Sequence, residues 1–145
     1  MLNEFFHYLR QVDLIIGHNI NFDINMIKIE LLRIIYGKTT SKNNLQSYKL
    51  DLHYITNYDK VVCTLQDSIE FCNIKSINKF GKEYLKWPTL LELHQKLFDT
   101  TPNNLHNSLI DILVTLRCFM KLKYDHDILE NCSMYKKYSN EFNLI

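Results

Sequence analysis

Apolar residues recur three or four positions apart along four stretches of this sequence, which is the spacing of one face of an α-helix. These stripes predict helices over residues 2–12, 22–36 and 107–123, and one that runs from Thr89 to a turn at residues 100–104. A further short helix is expected over residues 66–72. The stripe of the last long helix is Leu109, Ile112, Leu113, Leu116 and Met120.

Two short segments are apolar at nearly every position and predict strands. Leu14, Ile15 and Ile16 are closed by Gly17, and a similar run covers residues 61–64. Uninterrupted apolar runs suit parallel strands that are covered on both faces. With helices before, between and after them, parallel strands over 14–17 and 61–64 predict an α/β fold.

Three segments are dominated by polar residues. Residues 38–48 predict a loop, and residues 73–86 predict a second loop that carries four lysines: Lys75, Lys79, Lys82 and Lys86. That loop either steers a phosphate backbone or is simply solvated. Residues 49–56 fit a helix or a strand, and Trp87 is expected in the core. Residues 1–124 are predicted to form one domain, followed by a polar, irregular tail over 125–145.

Composition and charge narrow the class of protein. Seventeen Lys and Arg against sixteen Asp and Glu give a net charge of +1, so any nucleic-acid contact must be local rather than a broad basic coating. The four cysteines form no CxxC pair, which argues against a zinc knuckle. The N-terminus lacks the features of a signal peptide, and no apolar run is long enough to span a membrane. We therefore expect a cytoplasmic protein with reduced thiols, or a viral one in the host cytoplasm.

The amino-acid usage is also skewed. The chain has no alanine and only three glycines and two prolines, whereas isoleucine, asparagine and lysine abound. The abundant residues have AT-rich codons and the scarce ones GC-rich codons. We infer an AT-rich genome, such as that of a giant DNA virus, a phage or an AT-rich microbe.

Candidate chemistry lies in two short clusters, His18–Asp23 and His106–Asp111. The first follows a predicted buried strand, at the position where α/β sheets favour ligand sites. The second opens the last long helix. Five residues on a regular helix turn through about 500°, so His106 and Asp111 converge only if His106 lies in the preceding loop.

Each cluster also has a purely structural interpretation. Asp23 and Asp111 would each stabilise a helix by interacting with the positive N-terminal end of its dipole. Ser108 with Asp111 also fits a capping box that starts the helix at Ser108. His18 would be a turn histidine with both ring nitrogens satisfied. The case for function therefore depends on the two clusters occurring together, in this order, on an α/β scaffold.

Several segments resemble the DnaQ-like 3′–5′ exonucleases, in the branch whose motifs are abbreviated DEDDh. LIIGHNINFD resembles the second motif of that family, and NNLHNSLIDILVTLRCFMKL resembles its closing motif. The intervening VVCTLQDSIEFCNI and KWPTLLELHQKLF match in register, so the resemblance covers residues 1–123. It implies an RNase H-like fold and removal of nucleotides from a nucleic-acid 3′ end, as in the proofreading subunits of DNA polymerases.

The resemblance also implies roles for individual residues. Asp23 and Asp111 would be metal ligands, His106 the general base, and His18, Asn19 and Phe22 would shape the site near the terminal nucleotide. Family members hold two divalent ions, Mg²⁺ or Mn²⁺, between four carboxylates. Hard oxygen ligands suit these ions, and a histidine with a pKa near neutrality can take a proton from water.

One feature departs from the family. Its first motif, Asp-x-Glu, and its first three strands have no counterpart upstream of His18. We therefore expect a partial fold and an incomplete metal site, with the 145 residues inactive on their own. Three interpretations remain open: part of a working exonuclease, a non-catalytic remnant that binds nucleic acid or a partner, and a helical interaction protein. The expected partners are the 3′ end of single-stranded DNA or RNA, a DNA polymerase, or a chain that supplies the missing strands.

Overall fold

A computed structural model describes residues 2–37 and 42–144 of the chain. The elements in chain order are α1 (Leu2–Leu9), β1 (Ile15–Gly17), α2 (Ile20–Tyr36), α3 (Lys42–Thr56), β2 (Val61–Cys63), α4 (Thr64–Asp67), α5 (Ile69–Cys72), β3 (Lys75–Ile77), β4 (Glu83–Leu85), α6 (Leu90–Phe98), α7 (Ser108–Tyr124), α8 (Ile128–Asn131) and α9 (Ser133–Glu141). Strands β1 and β2 form a small parallel sheet, so the predicted α/β class is confirmed.

The chain divides into two compact units. The first comprises Met1–Ile15 and Ile20–Val62, and the second comprises Ile16–Asn19 and Cys63–Ile145. The chain passes between the units within β1, again between Asn19 and Ile20 at the start of α2, and a third time within β2. In the described part of the chain, no helix has both the length and the apolar composition needed to cross a membrane.

The first unit is a helical layer in which α2 packs against α3. Its buried apolar side chains come from all three helices: Phe6, Leu9, Ile20, Ile24, Leu31, Ile35 and Ile55. The buried carboxylate of Asp51 accepts a hydrogen bond from Arg10, whose guanidinium also lies 5.6 Å from the ring centroids of Phe6 and Tyr54. This ion pair ties the turn that follows α1 to α3 and compensates the buried charge of Asp51.

Helix α3 corrects the prediction of a loop over 38–48. Residues 38–41 lie outside the described residues, but 42–48 are helical, and the ambiguous segment 49–56 continues the same helix. Leu45, Tyr48, Leu52 and Ile55 lie on its partly or fully buried side, at intervals of three or four residues. The polar residues between them concealed this stripe, because composition and periodicity point to different structures here.

The second unit has its core around α7. A buried cluster joins residues from four helices and the C-terminus: Cys72, Leu93, Ile110, Leu113, Val114, Cys118, Tyr135 and Leu144. The buried face of α7 is rotated from the predicted stripe, since Leu109 and Ile112 are exposed whereas Ile110 and Val114 are buried. The helix is apolar around much of its circumference, so periodicity alone did not fix which face is inside.

The C-terminal residues contribute to this core. The prediction of irregular structure over 125–145 is wrong, because α8 and α9 occupy most of that segment. The Tyr135 hydroxyl donates to the Leu113 carbonyl at 2.8 Å, and the buried Leu144 accepts a hydrogen bond from the Asn103 amide at 2.8 Å. Apolar residues recur through this segment at nearly helical spacing, for example at Ile128, Cys132, Tyr135 and Tyr138, and the polar residues between them hid this pattern from a composition-based prediction.

A β-hairpin replaces the loop predicted over 73–86. Strands β3 and β4 pair antiparallel, with Lys75 opposite Leu85 and Ile77 opposite Glu83. The turn closes through a hydrogen bond from the Asn78 amide to the Lys82 carbonyl and contains Gly81 at φ +76°. A glycine in the left-handed region is typical of three-residue hairpin loops.

Helix ends follow local sequence signals. Thr89 caps α6 in a capping box with Glu92, as the predicted helix start suggested. Three helices of the second unit end on left-handed residues, namely Asn73 after α5, Asp99 after α6 and Asp125 after α7. In this position most helices use glycine, although asparagine is also found.

Candidate functional site

His18 lies directly after β1, and both nitrogens of its ring have partners. Nδ1 lies 3.0 Å from the Thr64 hydroxyl oxygen, and Nε2 lies 3.0 Å from the Pro88 carbonyl oxygen. The Thr64 hydroxyl is also 3.3 Å from the Gly17 carbonyl oxygen. The imidazole therefore connects the ends of β1 and β2 with the segment that leads into α6.

The surroundings of His18 favour its neutral form. Burial lowers the pKa of the ring, although the hydrogen bond to the Pro88 carbonyl acts in the opposite direction. Because a carbonyl can only accept, Nε2 carries a proton and donates it to Pro88. The Thr64 hydroxyl has a single proton, which it donates either to Nδ1 or to the Gly17 carbonyl. These contacts give His18 a structural role, and its contact with a terminal nucleotide stays a prediction.

The remaining residues of the first cluster lie at the start of α2. Asn19 adopts a left-handed conformation at φ 68° immediately before the helix. Asp23 lies in the first turn of α2 with an exposed carboxylate, where it interacts favourably with the helix dipole. Phe22 is mostly exposed. Asp23 and Phe22 are thus accessible on the first unit, and their predicted roles stay predictions.

The second cluster brings His106 and Asp111 together. His106 lies in the loop before α7, and its backbone amide donates to Asp111 Oδ1 at 3.2 Å. Helix geometry predicted that the two residues would converge only if His106 preceded the helix. His106 does lie before α7, so this condition is met. The His106 ring itself is exposed, while Asp111 is half-buried in the first turn of α7.

Backbone geometry at this helix start differs in one detail from the expected capping box. The Asn107 side chain, not that of Ser108, accepts from the Leu109 amide at 3.0 Å and caps the helix. His106 has φ +79°, a conformation that few residues other than glycine adopt. Such a strained residue beside a helix-start carboxylate is typical of functional sites, because the surrounding structure must hold it in place.

The described residues contain no cluster of side chains that could by itself hold a metal ion. Across residues 2–37 and 42–144, no three His, Cys, Asp or Glu side chains cluster in a way that could hold a metal ion. Asp23 belongs to the first unit and Asp111 to the second. Two carboxylates are fewer than the four expected for a pair of ions, so Asp23 and Asp111 alone would not complete the implied ligand set.

The sequence analysis missed a buried polar cluster around Arg117 of α7. Arg117 Nε and Nη2 donate to the two carboxylate oxygens of Asp127 at 2.8 and 2.6 Å. Its Nη1 lies 3.1 Å from His94 Nε2, and its guanidinium lies 3.8 Å from the ring centroid of Phe98. An arginine inside an apolar helical stripe was the available signal.

His94 completes this cluster as a neutral acceptor. Its Nδ1 lies 3.0 Å from the Thr100 carbonyl oxygen and must carry the proton, which leaves Nε2 to accept from Arg117. Burial lowers the pKa of His94, and the positive charge of Arg117 adds to that effect. Burial alone would raise the pKa of Asp127, but its hydrogen bonds with Arg117 and Leu129 hold it below the ordinary value. The cluster fastens α6 and α7 to the segment that leads into α8.

Comparison with known proteins adds no assignment: no protein-family model, curated protein or solved structure matches this chain.

Proposed function

We propose that this chain supplies part of the active site of a metal-dependent 3′–5′ exonuclease of the DnaQ-like kind. His106 would act as the general base and Asp23 and Asp111 as metal ligands. The supporting observation is the contact between the His106 amide and the Asp111 carboxylate at the start of α7. It anchors the loop that carries an exposed imidazole beside a half-buried carboxylate, where the resemblance expects a base and a ligand.

The contact suits proton transfer from water. The His106 backbone is bound to the carboxylate, so the exposed ring keeps its nitrogens for a water molecule. A neutral imidazole can accept that proton, and histidine is the side chain that most often serves as a general base. Asp111, one turn into the helix, would lie beside the reacting phosphate.

Hydrolysis on this proposal needs further carboxylates from outside the described residues. A segment with an Asp-x-Glu strand, on a partner chain or elsewhere in a longer polypeptide, would complete the ligand set. The two-stranded sheet of β1 and β2 offers strand edges at which such a segment could pair. A DNA polymerase is a candidate for the associated partner.

The test uses the protein as isolated from the cells that express it. Intact mass, co-purifying chains and release of nucleoside monophosphates from a 3′-labelled strand are measured together. We expect a mass above 17.4 kDa or a co-purifying chain with Asp-x-Glu, and activity that EDTA abolishes. Asp111→Asn and His106→Ala should remove the activity, whereas Asp125→Asn should not. A protein of 17.4 kDa without partner or activity would contradict the proposal.

A second candidate is binding to nucleic acid without hydrolysis. The β3–β4 hairpin favours it, because its exposed lysine and aromatic side chains need no metal to contact a strand. Binding that persists in EDTA, in a protein that never releases nucleotides, would select this candidate over the first.

A further inference from the structure

The β3–β4 hairpin carries large aromatic side chains on its surface. Phe80 in the turn is 81% exposed, Trp87 just after β4 is 61% exposed, and Tyr84 within β4 is about half exposed. Trp87 was expected in the core, and that prediction is wrong. Aromatic residues normally bury their rings, so three exposed ones on a short hairpin indicate a surface that a partner covers.

Positive charge is concentrated on the same hairpin. Lys75, Lys79 and Lys82 are exposed, and the only acid between Ile74 and Trp87 is Glu83. A fourth lysine, Lys86, pairs with Glu92 at 2.6 Å and so fastens the hairpin to α6. Since the whole chain has a net charge of only +1, this is a local basic surface on a nearly neutral protein.

The hairpin is held in a defined shape. Ile74 packs against the core of the second unit, and its carbonyl accepts from the Lys86 amide at 2.8 Å. In the turn, the Asn78 side chain accepts from the amides of Phe80 and Lys82 at 2.9 and 3.1 Å. The aromatic rings and the lysines are therefore presented on an ordered backbone, which reduces the entropic cost of binding.

We infer that this hairpin binds single-stranded nucleic acid, with unpaired bases stacked on Phe80 and Trp87 and phosphates beside Lys75, Lys79 and Lys82. Single-stranded nucleic acid is bound by alternating aromatic and basic side chains. The aromatic rings stack on the bases, and the basic groups neutralise the phosphate that links each pair of nucleotides. A duplex hides its bases and offers only phosphates. The inference extends the proposed function, since it identifies the surface that would hold the strand, and it rests on that proposal for the choice of substrate class.

Binding is measured on the full chain in EDTA, so that no hydrolysis is needed. The probes are fluorescein-labelled oligo(dT) and oligo(U) of about 20 nucleotides, longer than the roughly 4–16 nucleotides that a small single-strand-binding domain covers. We expect Phe80→Ala and Trp87→Ala each to weaken binding between about 5- and 100-fold. Tyr36→Ala is the matched control, because Tyr36 is also 81% exposed but lies on α2, and it should leave affinity unchanged.

The charge contribution has its own readout. Lys79→Gln and Lys82→Gln should each reduce the salt dependence of binding, by about 0.7 in the slope of log K against log salt for each phosphate that is no longer neutralised. Lys137→Gln, an exposed lysine on α9, is the control. The relative affinity for oligo(dT) and oligo(U) then decides between DNA and RNA as the bound strand.

The unmodified chain provides an independent signal. Trp87 is its only tryptophan, so stacking of a base on this ring should quench the intrinsic fluorescence of the protein. Unchanged fluorescence at saturating oligonucleotide would contradict the stacking interaction. Equal affinity for a duplex of the same length, or binding only to phosphatidylserine vesicles, would overturn the inference in favour of a phosphate or lipid surface.

The outcome is separable from that of the exonuclease proposal. Asp111→Asn should keep hairpin-dependent binding in EDTA even though it removes any hydrolysis. If hydrolysis is never observed but binding depends on Phe80 and Trp87, the exonuclease proposal fails and this inference stands. If hydrolysis occurs and the hairpin variants bind as tightly as the unmodified chain, the inference fails and the exonuclease proposal stands.

Discussion

At the scale of single residues, the buried guanidinium of Arg117 contacts three different side chains instead of water. Asp127 balances its charge through two hydrogen bonds, His94 accepts a third, and the Phe98 ring covers the guanidinium. A buried ion pair is not in itself strongly stabilising, since both charges were desolvated to form it. Removing one member, however, leaves the other charge buried without compensation.

Asp127→Asn should therefore destabilise the second unit. We expect a loss of about 3–5 kcal/mol in the free energy of unfolding, because Arg117 would remain buried without its carboxylate. Urea unfolding of the full chain measures the change. Asp125→Asn is the control: its carboxylate is 90% exposed, so the urea midpoint should stay unchanged. Similar losses of unfolding free energy in the two variants would contradict a specific stabilising role of the Asp127 carboxylate.

The protonation of His94 should make stability depend on pH. Its pKa is lowered in the folded protein, so the unfolded chain binds a proton at higher pH than the folded chain does. The contribution of neutral His94 is complete above the unfolded pKa of about 6.5 and is lost as the pH falls below it. His18, whose pKa is also lowered, acts in the same direction.

Urea unfolding at a series of pH values checks this expectation. The free energy of unfolding should fall between neutral pH and mildly acidic pH, where carboxylates are still ionised. His94→Gln keeps a donor and an acceptor but cannot be protonated, so its profile should be flatter than that of the unmodified protein. A profile of equal slope in the variant would assign the acid sensitivity to other groups.

At the scale of elements, prediction succeeded where local signals agree. Thr89 and the apolar stripe from Leu90 to Phe98 predicted α6, and the His106–Asp111 contact was foreseeable because its members are close in sequence. Helix α3 and the hairpin were missed because polar residues outnumber the apolar ones that are buried. The cluster of His94, Arg117 and Asp127 joins residues 10 to 23 positions apart, which no local pattern reports.

The start of α7 offers a test of capping. Asn107→Ala should cost about 1 kcal/mol, because the amide of Leu109 loses its acceptor. Ser108→Ala should cost less than about 0.5 kcal/mol, as for a surface position outside the cap. Thermal or urea unfolding distinguishes the two. A larger effect of Ser108→Ala would support the capping box that the sequence suggested instead.

At the scale of the whole molecule, the second unit depends on residues that are far apart along the chain. Its core combines α5, α6 and α7 with Tyr135 of α9 and with Leu144, almost the last residue. The C-terminal segment is thus part of the fold rather than an appendage. Its hydrogen bond from the Asn103 amide also links it to the loop that precedes His106.

Leu144→Ala should destabilise this unit by about 2–5 kcal/mol, the range for truncating a fully buried leucine. Met134→Ala, an exposed position on α9, serves as the control and should have little effect. Hydrogen exchange of the α7 amides gives the readout, since their protection reports on the stability of the core around them. Unchanged protection in Leu144→Ala would contradict the packing described for the C-terminus.

The left-handed helix ends have a consequence for how this protein can evolve. Asn73, Asp99 and Asp125 occupy positions where glycine meets no steric resistance, and the whole chain has only three glycines. A change from Asn73 to glycine would relieve backbone strain without touching the core. Glycine substitutions at these three positions would therefore raise the stability of the folded protein. Such gains would offset the stability lost to destabilising mutations elsewhere in the chain.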